Sequence, residues 1–345
     1  MIGVMAGDRK RSTGFSLVEL MVALVISLLI GIAVLQVFLS SKNTYRLQET
    51  MGQLQENGRF AVNYLANDLR MSGFMGCGNV DRIPVNIIAE ADGGGLAVSA
   101  FDGDAIIVGQ NDVAASNAWG AVAGTDTLVM RKAASGSMRL TGNMSAVNAN
   151  IQVVSNSLGA AAGDILFISD CINADIFRAT SVSSSAGTVT IAHANNKNTS
   201  NNLSKAYGPD AEVLMFESVA YYVKNTGRTT PNGDAIRALY VQRKTGGTAE
   251  TATAYELIEG VEDMQLEFGV DSGNDNLADT YQPASGSLNW GKVVSVRFSL
   301  LMQAVDGKLV GGGGQAINYN GSAVTADGRL RQKFGTVVAV RNRVP

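Results

Sequence analysis

Between Leu20 and Leu39 the chain is apolar except for Ser27, Gly31 and Gln36. Wound as an α-helix, about twenty such residues reach roughly 30 Å, the thickness of a bilayer's hydrocarbon core. Arg9, Lys10 and Arg11 stand ahead of the run. Basic flanks stay on the cytoplasmic side, so the chain after about residue 40 is expected across the membrane. A cleaved secretory signal fits less well, because the run is longer than an ordinary h-region and no small-x-small cleavage site follows. Glu19 sits where the run begins. Carried toward the bilayer centre, an unpaired carboxylate costs about 2.5–3.5 kcal/mol. Near a helix end it can snorkel to the headgroups; otherwise it needs a partner.

The remaining composition narrows the chemistry. The 345 residues are enough for one large domain or two modest ones, and 39 glycines against 5 prolines suit short strands joined by turns. A net charge of −3 without a basic stripe makes nucleic acid an unsuitable partner. Two cysteines and one histidine cannot build a Cys/His zinc site. There is no Walker A loop, and the glycines at 93–95 and 311–314 read as turns. A Ser-His-Asp arrangement would need His193, whose neighbours Asn195, Asn196, Lys197 and Asn198 read as a solvated surface loop. No catalytic residue and no obligatory cofactor emerge, so an enzyme is not expected.

Beyond the apolar run, Leu47, Met51, Leu54, Gly58, Ala61, Leu65 and Leu69 recur at spacings of three and four, one face of a helix. The spacing predicts a stalk to about Met71, stopped by Ser72-Gly73. The stripe can meet other subunits, but for its C-terminal half packing on the protein's own sheet is the plainer reading. Strands are predicted at 127–131, 165–168, 188–191, 212–223, 238–243, 264–268, 293–301 and 336–341. In the clearest, Val294, Val296, Phe298 and Leu300 face one way and Ser295, Arg297 and Ser299 the other.

The stretch Gly14-Phe15-Ser16-Leu17-Val18-Glu19-Leu20 resembles the class III signal of type IV pilins and pseudopilins. The resemblance implies that a prepilin peptidase/N-methyltransferase cuts between Gly14 and Phe15 and methylates Phe15. Glu19 then becomes the fifth mature residue. Cleavage removes three basic residues and one acidic one, taking the net charge from −3 to −5. The new Phe15 amine and a neighbour's Glu19 can neutralise each other within a helical bundle. Asp170-Cys171, Ala174-Asp175-Ile176-Phe177, Val219 to Val223, Leu257 to Glu262 and Thr336 to Arg343 are similar to PilW-like minor pilins and, less closely, to minor pseudopilins of type II secretion.

That family implies an α+β, pilin-like fold: a long N-terminal helix, half membrane and half amphipathic, packed on a large antiparallel β-rich domain. The expected divisions are a cleaved leader (1–14), an assembly helix (15–40), a stalk (41–73) and a globular domain (74–345). The last is divisible near 74–210 and 211–345. The resemblance also implies an inner-membrane precursor with a periplasmic domain that later joins a surface pilus. Its expected partners are other minor pilins, the major pilin and a tip adhesin, in twitching motility and adhesion. A type II secretion pseudopilin and a membrane-anchored binding protein that never assembles are the alternatives.

Two secondary sites remain. Cys77 and Cys171 would form a disulfide in an oxidising compartment, with two buried thiols as the alternative. Asp271, Asp275 and Asp279 are spaced four apart in a glycine-containing loop, and a hard cation needs several oxygen ligands converging from one short loop. Gly273 and Gln282 stand where an EF-hand has ligands, so a solvated turn is the favoured reading and calcium the other.

Overall fold

A proline-free run rich in Leu, Val, Ile and Ala winds into one helix, α1 (Leu17–Met71). The structure is a computed structural model that describes residues 14, 16–76, 83–90, 106–245, 253–307, 309–310 and 315–343. It divides into two units, Met1–Thr50 and Met51–Pro345. In the first, every large apolar side chain from Leu17 to Leu39 is exposed. Two hydroxyls bond back within the helix: Ser27 Oγ donates to Ala23 O at 2.7 Å and, beyond the apolar run, Thr44 Oγ1 to Ser40 O at 3.0 Å. The helix is long and apolar enough to cross a membrane.

In the second unit Met51 of the predicted stripe is exposed, and burial begins at Leu54, with Ala61, Leu65 and Leu69 fully enclosed. Gly58 lies under the ring of Phe334, which occupies the space a Cβ would need. The stripe packs on the protein's own sheet. The helix ends where expected, at Met71. Gly73 takes a left-handed φ of 75° and donates its N–H to Arg131 O at 2.8 Å, while Asn342 Nδ2 donates to Ser72 O at 2.9 Å.

In chain order the strands are β1 (Val85–Ile87), β2 (Ile107–Gln110), β3 (Thr127–Ala133), β4 (Met138–Arg139), β5 (Ile151–Val153) and β6 (Ile165–Ser169). Next come β7 (Ala174–Arg178), β8 (Ser181–Ser185), β9 (Thr188–Ala192), β10 (Glu212–Thr229), β11 (Ala235–Thr245) and β12 (Ala254–Glu259). The last are β13 (Val261–Val270), β14 (Thr280–Gln282), β15 (Val293–Gln303), β16 (Ile317–Tyr319), β17 (Ser322–Val324) and β18 (Arg331–Ala339). Every predicted strand is present. Most are longer than expected, because polar or charged ends such as Lys224–Thr229 and Arg331–Lys333 continue the ladder.

The long β10 is the spine of a sheet ordered β1-β7-β6-β10-β11-β12, with β3 and β4 also paired to it. Its first residues pair with β6 and its middle with β3. Among the described residues only the β1–β7 pair is parallel. A four-stranded sheet, β14-β13-β15-β18, stands beside it. The chain passes from one sheet to the other at Gly260, whose φ is 82°. An added Cβ there would lie 2.7 Å from Gln303 O, so only glycine fits this approach. Asp126 joins the sheets again, accepting the Asp112 N–H at 2.9 Å and the Leu266 N–H at 2.7 Å. Ser295, on the face opposite the apolar row, is buried against Tyr281, its Oγ 3.0 Å from the phenol.

Candidate functional site: the start of the apolar helix and the Asp68 anchor

Ser16 and Glu19 cap the start of α1 reciprocally. The Ser16 N–H donates to Glu19 Oε2 at 2.9 Å, and the Glu19 N–H donates to Ser16 Oγ at 3.2 Å. This is a capping box, which satisfies two of the N–H groups a helix start leaves open. Among the described residues Glu19 Oε1 takes no hydrogen bond, so the carboxylate has one oxygen fixed and one presented. Gly14 is exposed with nothing near it. Phe15, the predicted methylation position, lies outside the described residues.

A second cluster holds the stalk. Asp68 receives Lys132 Nζ at 2.8 Å on one oxygen, and both the Tyr221 hydroxyl and Arg243 Nη2 on the other. Arg243 also reaches Tyr64 OH at 3.1 Å and Glu217 at 3.4 Å, and Lys132 reaches Glu217 at 3.5 Å. Burial alone would raise the Asp68 carboxyl. Hydrogen bonds from Lys132 and Tyr221 and the charges of Lys132 and Arg243 outweigh it, holding the group below the usual carboxylate range. Burial and then the Asp68 charge push the Tyr221 phenol up. The cluster clamps the helix to β3, β10 and β11.

The remaining predicted residues are two cysteines and three aspartates. Cys171 lies at the exposed β6–β7 turn with φ 70°; Cys77 lies outside the described residues. Asp271 accepts the N–H groups of Asn274 at 2.6 Å and Asn276 at 2.9 Å. Asp279 accepts those of Ser272 at 2.7 Å and Gly273 at 3.0 Å, which keep its carboxyl lower than usual, and Asp275 accepts that of Leu277 at 3.0 Å. Each carboxylate is turned onto the loop's own backbone. Among the described residues no group of three His, Cys, Asp or Glu side chains could hold a metal ion.

His193 corrects an expectation. It is buried, not solvated: Nε2 lies 2.9 Å from Ala149 O, the ring meets the edge of Phe177, and Nδ1 is enclosed without a partner among the described residues. The polar loop folds over it because Asn198 is pinned to the Arg178 backbone at 2.7 and 2.9 Å. Asp175 was not singled out as a site. It is fully buried, accepting the Ser204 hydroxyl at 2.6 Å, Tyr207 OH at 2.5 Å and Asn86 Nδ2 at 2.5 Å.

The comparisons agree with this geometry. Residues 9–35 match the model described as Prokaryotic N-terminal methylation motif, which contains Gly14, Phe15 and Glu19. Such a motif ahead of a single long apolar helix, with a β-rich domain behind, defines an inner-membrane-anchored, pilin-like protein. Residues 220–342 match the model described as Type IV Pilus-assembly protein W. Over these two stretches the chain is similar to PilW-like type IV pilus proteins and carries their N-terminal methylation signal. No curated protein and no solved structure matches.

Proposed function

We propose that the chain is a minor pilin, a structural subunit that helps initiate pilus assembly with other minor pilins and supports twitching motility and adhesion. The supporting observation is the presented Glu19 carboxylate at the head of a helix whose large apolar side chains from Leu17 to Leu39 are all exposed. A cleaved Phe15 ammonium of a neighbour is the charge such a carboxylate requires in an apolar bundle. The reaction is self-assembly, not catalysis. Mass spectrometry of the N-terminus in sheared filaments tests it: an N-methylated Phe15 peptide is expected, and a chain still beginning at Met1 sinks the reading. Loss of secretion without loss of twitching on deletion would assign the chain to a type II pseudopilus instead.

Two smaller assignments accompany this one. Cys77 and Cys171 pair after export, closing a loop of about 95 residues and constraining the unfolded chain by roughly 4–5 kcal/mol in the entropy model. Alkylation of the denatured, unreduced protein should leave its mass unchanged; two added labels would refute the bridge. The Asp271–Asp279 loop holds itself closed without calcium. Calorimetric titration should show no heat, and saturable binding would restore the cation.

A further inference from the structure

The edge of the four-stranded sheet is open in one specific way. The β15–β18 register runs unbroken from Gln303 opposite Arg331 to Ser295 opposite Ala339. Ala304 N–H donates to Leu330 O and Val340 N–H to Val294 O, each at 2.9 Å. Opposed residues in an antiparallel pair alternate between bonded and non-bonded. Even-numbered residues of β18 therefore bond to β15, and odd-numbered ones point N–H and C=O away from it. Arg331 demonstrates the direction, since its N–H goes to Gln315 Oε1 at 2.9 Å. Lys333, Gly335, Val337 and Ala339 continue the row. All are exposed, and their backbone groups have no partner among the described residues.

In the two larger sheets the other terminal strands, β1, β12 and β14, are blunted. β12 has a register break against β11 and carries Glu256 and Glu259; β1 and β14 are three residues each. Breaks, charges and shortness are the usual means of preventing strand addition, and β18 has neither break nor shortness. Its one exposed charge is Lys333, which faces the Tyr319 ring at 5.7 Å and has no ion pair among the described residues. Arg331 is already matched by Glu262 and Asp327. Exposed Arg341 follows, and no acidic residue occurs from Arg331 to Arg343. Val337 is 49% exposed between the small Gly335 and Ala339.

We propose that β18 is a docking edge for an extended, net-acidic segment of another polypeptide chain, which adds as a fifth strand to this sheet. Backbone groups of Lys333, Gly335, Val337 and Ala339 supply the hydrogen bonds. Lys333 selects a carboxylate opposite it.

The test uses the full chain in detergent micelles with a synthetic strand, acetyl-Thr-Val-Glu-Val-Thr-Val-Glu-Thr-amide, and its counterpart carrying Lys for Glu. Hydrogen exchange should show the acidic peptide slowing the amides of Gly335, Val337 and Ala339 by about tenfold or more while the even-numbered amides stay as they were. Val337→Pro removes an outward N–H without touching the β15 ladder and should weaken binding by about tenfold or more. Lys333→Glu should turn the preference toward the Lys peptide, and this swap carries the test if the proline variant does not fold. No protection at peptide concentrations on the order of millimolar, or equal binding by Val337→Pro, overturns the proposal. Protection of the same amides by dimerisation without peptide would make the occupant a second copy and overturn the acidic-segment assignment.

Discussion

Two lengths of one helix solve opposite problems. From Leu17 to Leu39 no large apolar side chain is covered by the chain itself. From Leu54 to Leu69 the apolar stripe is enclosed, and the polar face carries an ion cluster at Asp68. Exposed apolar surface of that extent must be covered by lipid or by other helices. The buried stripe already has its partner. Secondary structure is the same in both; what differs is where each finds its solvent, and so the first length carries assembly and the second carries stability.

Glu19→Ala should separate the two most sharply. Incorporation into filaments is expected to fall by about tenfold or more, because an incoming ammonium would be left unpaired in an apolar bundle. The melting temperature of the purified protein in detergent should not change. Normal filament incorporation would break the division. Asp68→Ala should do the reverse, at a cost of about 3–5 kcal/mol, since Lys132 and Arg243 lose a shared buried anion. A denaturant midpoint unchanged by this substitution would show that the stalk is held by packing alone.

Gly58→Val comes next. The ring of Phe334 must move to admit a Cβ, and overpacking of this kind costs about 1–3 kcal/mol. The paired variant Gly58→Ala with Phe334→Leu should recover much of the loss. An equal loss in both would mean that backbone conformation at residue 58, and not the ring, sets the requirement.

Helix and strand periodicity made much of this legible. The stripe from Leu54 to Leu69 and the stop at Ser72-Gly73 are local patterns, and local patterns are what sequence displays. Strand ends were less visible, since Lys224–Thr229 and Arg331–Lys333 are largely polar yet continue paired strands, with Arg331 buried by its pairing to Glu262 and Asp327. The Asp68 cluster was not legible, because its partners Lys132, Tyr221 and Arg243 lie 64, 153 and 175 residues away. His193 misled for a related reason: polar neighbours mark a loop but not which way it folds. The segments similar to minor pilins acquire physical roles: Tyr221 clamps the stalk, Gly260 turns between sheets, Asp175 organises a buried network and Asn342 caps the helix end.

The smallest expected effect is in pH, and it concerns the second unit alone. Burial raises the carboxyls of Asp126 and Asp263 to about 6, against the opposing pull of hydrogen bonds they accept. A carboxyl raised on folding binds its proton more tightly in the folded state, so stability falls as pH rises from about 4 to about 6. Asp68 has the opposite sign: its lowered value stabilises above the unfolded value near 3.8 and is lost as pH falls through the folded one. Melting temperature should therefore peak between these limbs, with a shift of about 2–4 °C between pH 5 and 7. Asp263→Asn should flatten the upper limb and Asp68→Asn the lower. Neither should alter how Glu19 variants behave in filaments; if either does, the two lengths of helix are coupled and the division drawn between them is wrong.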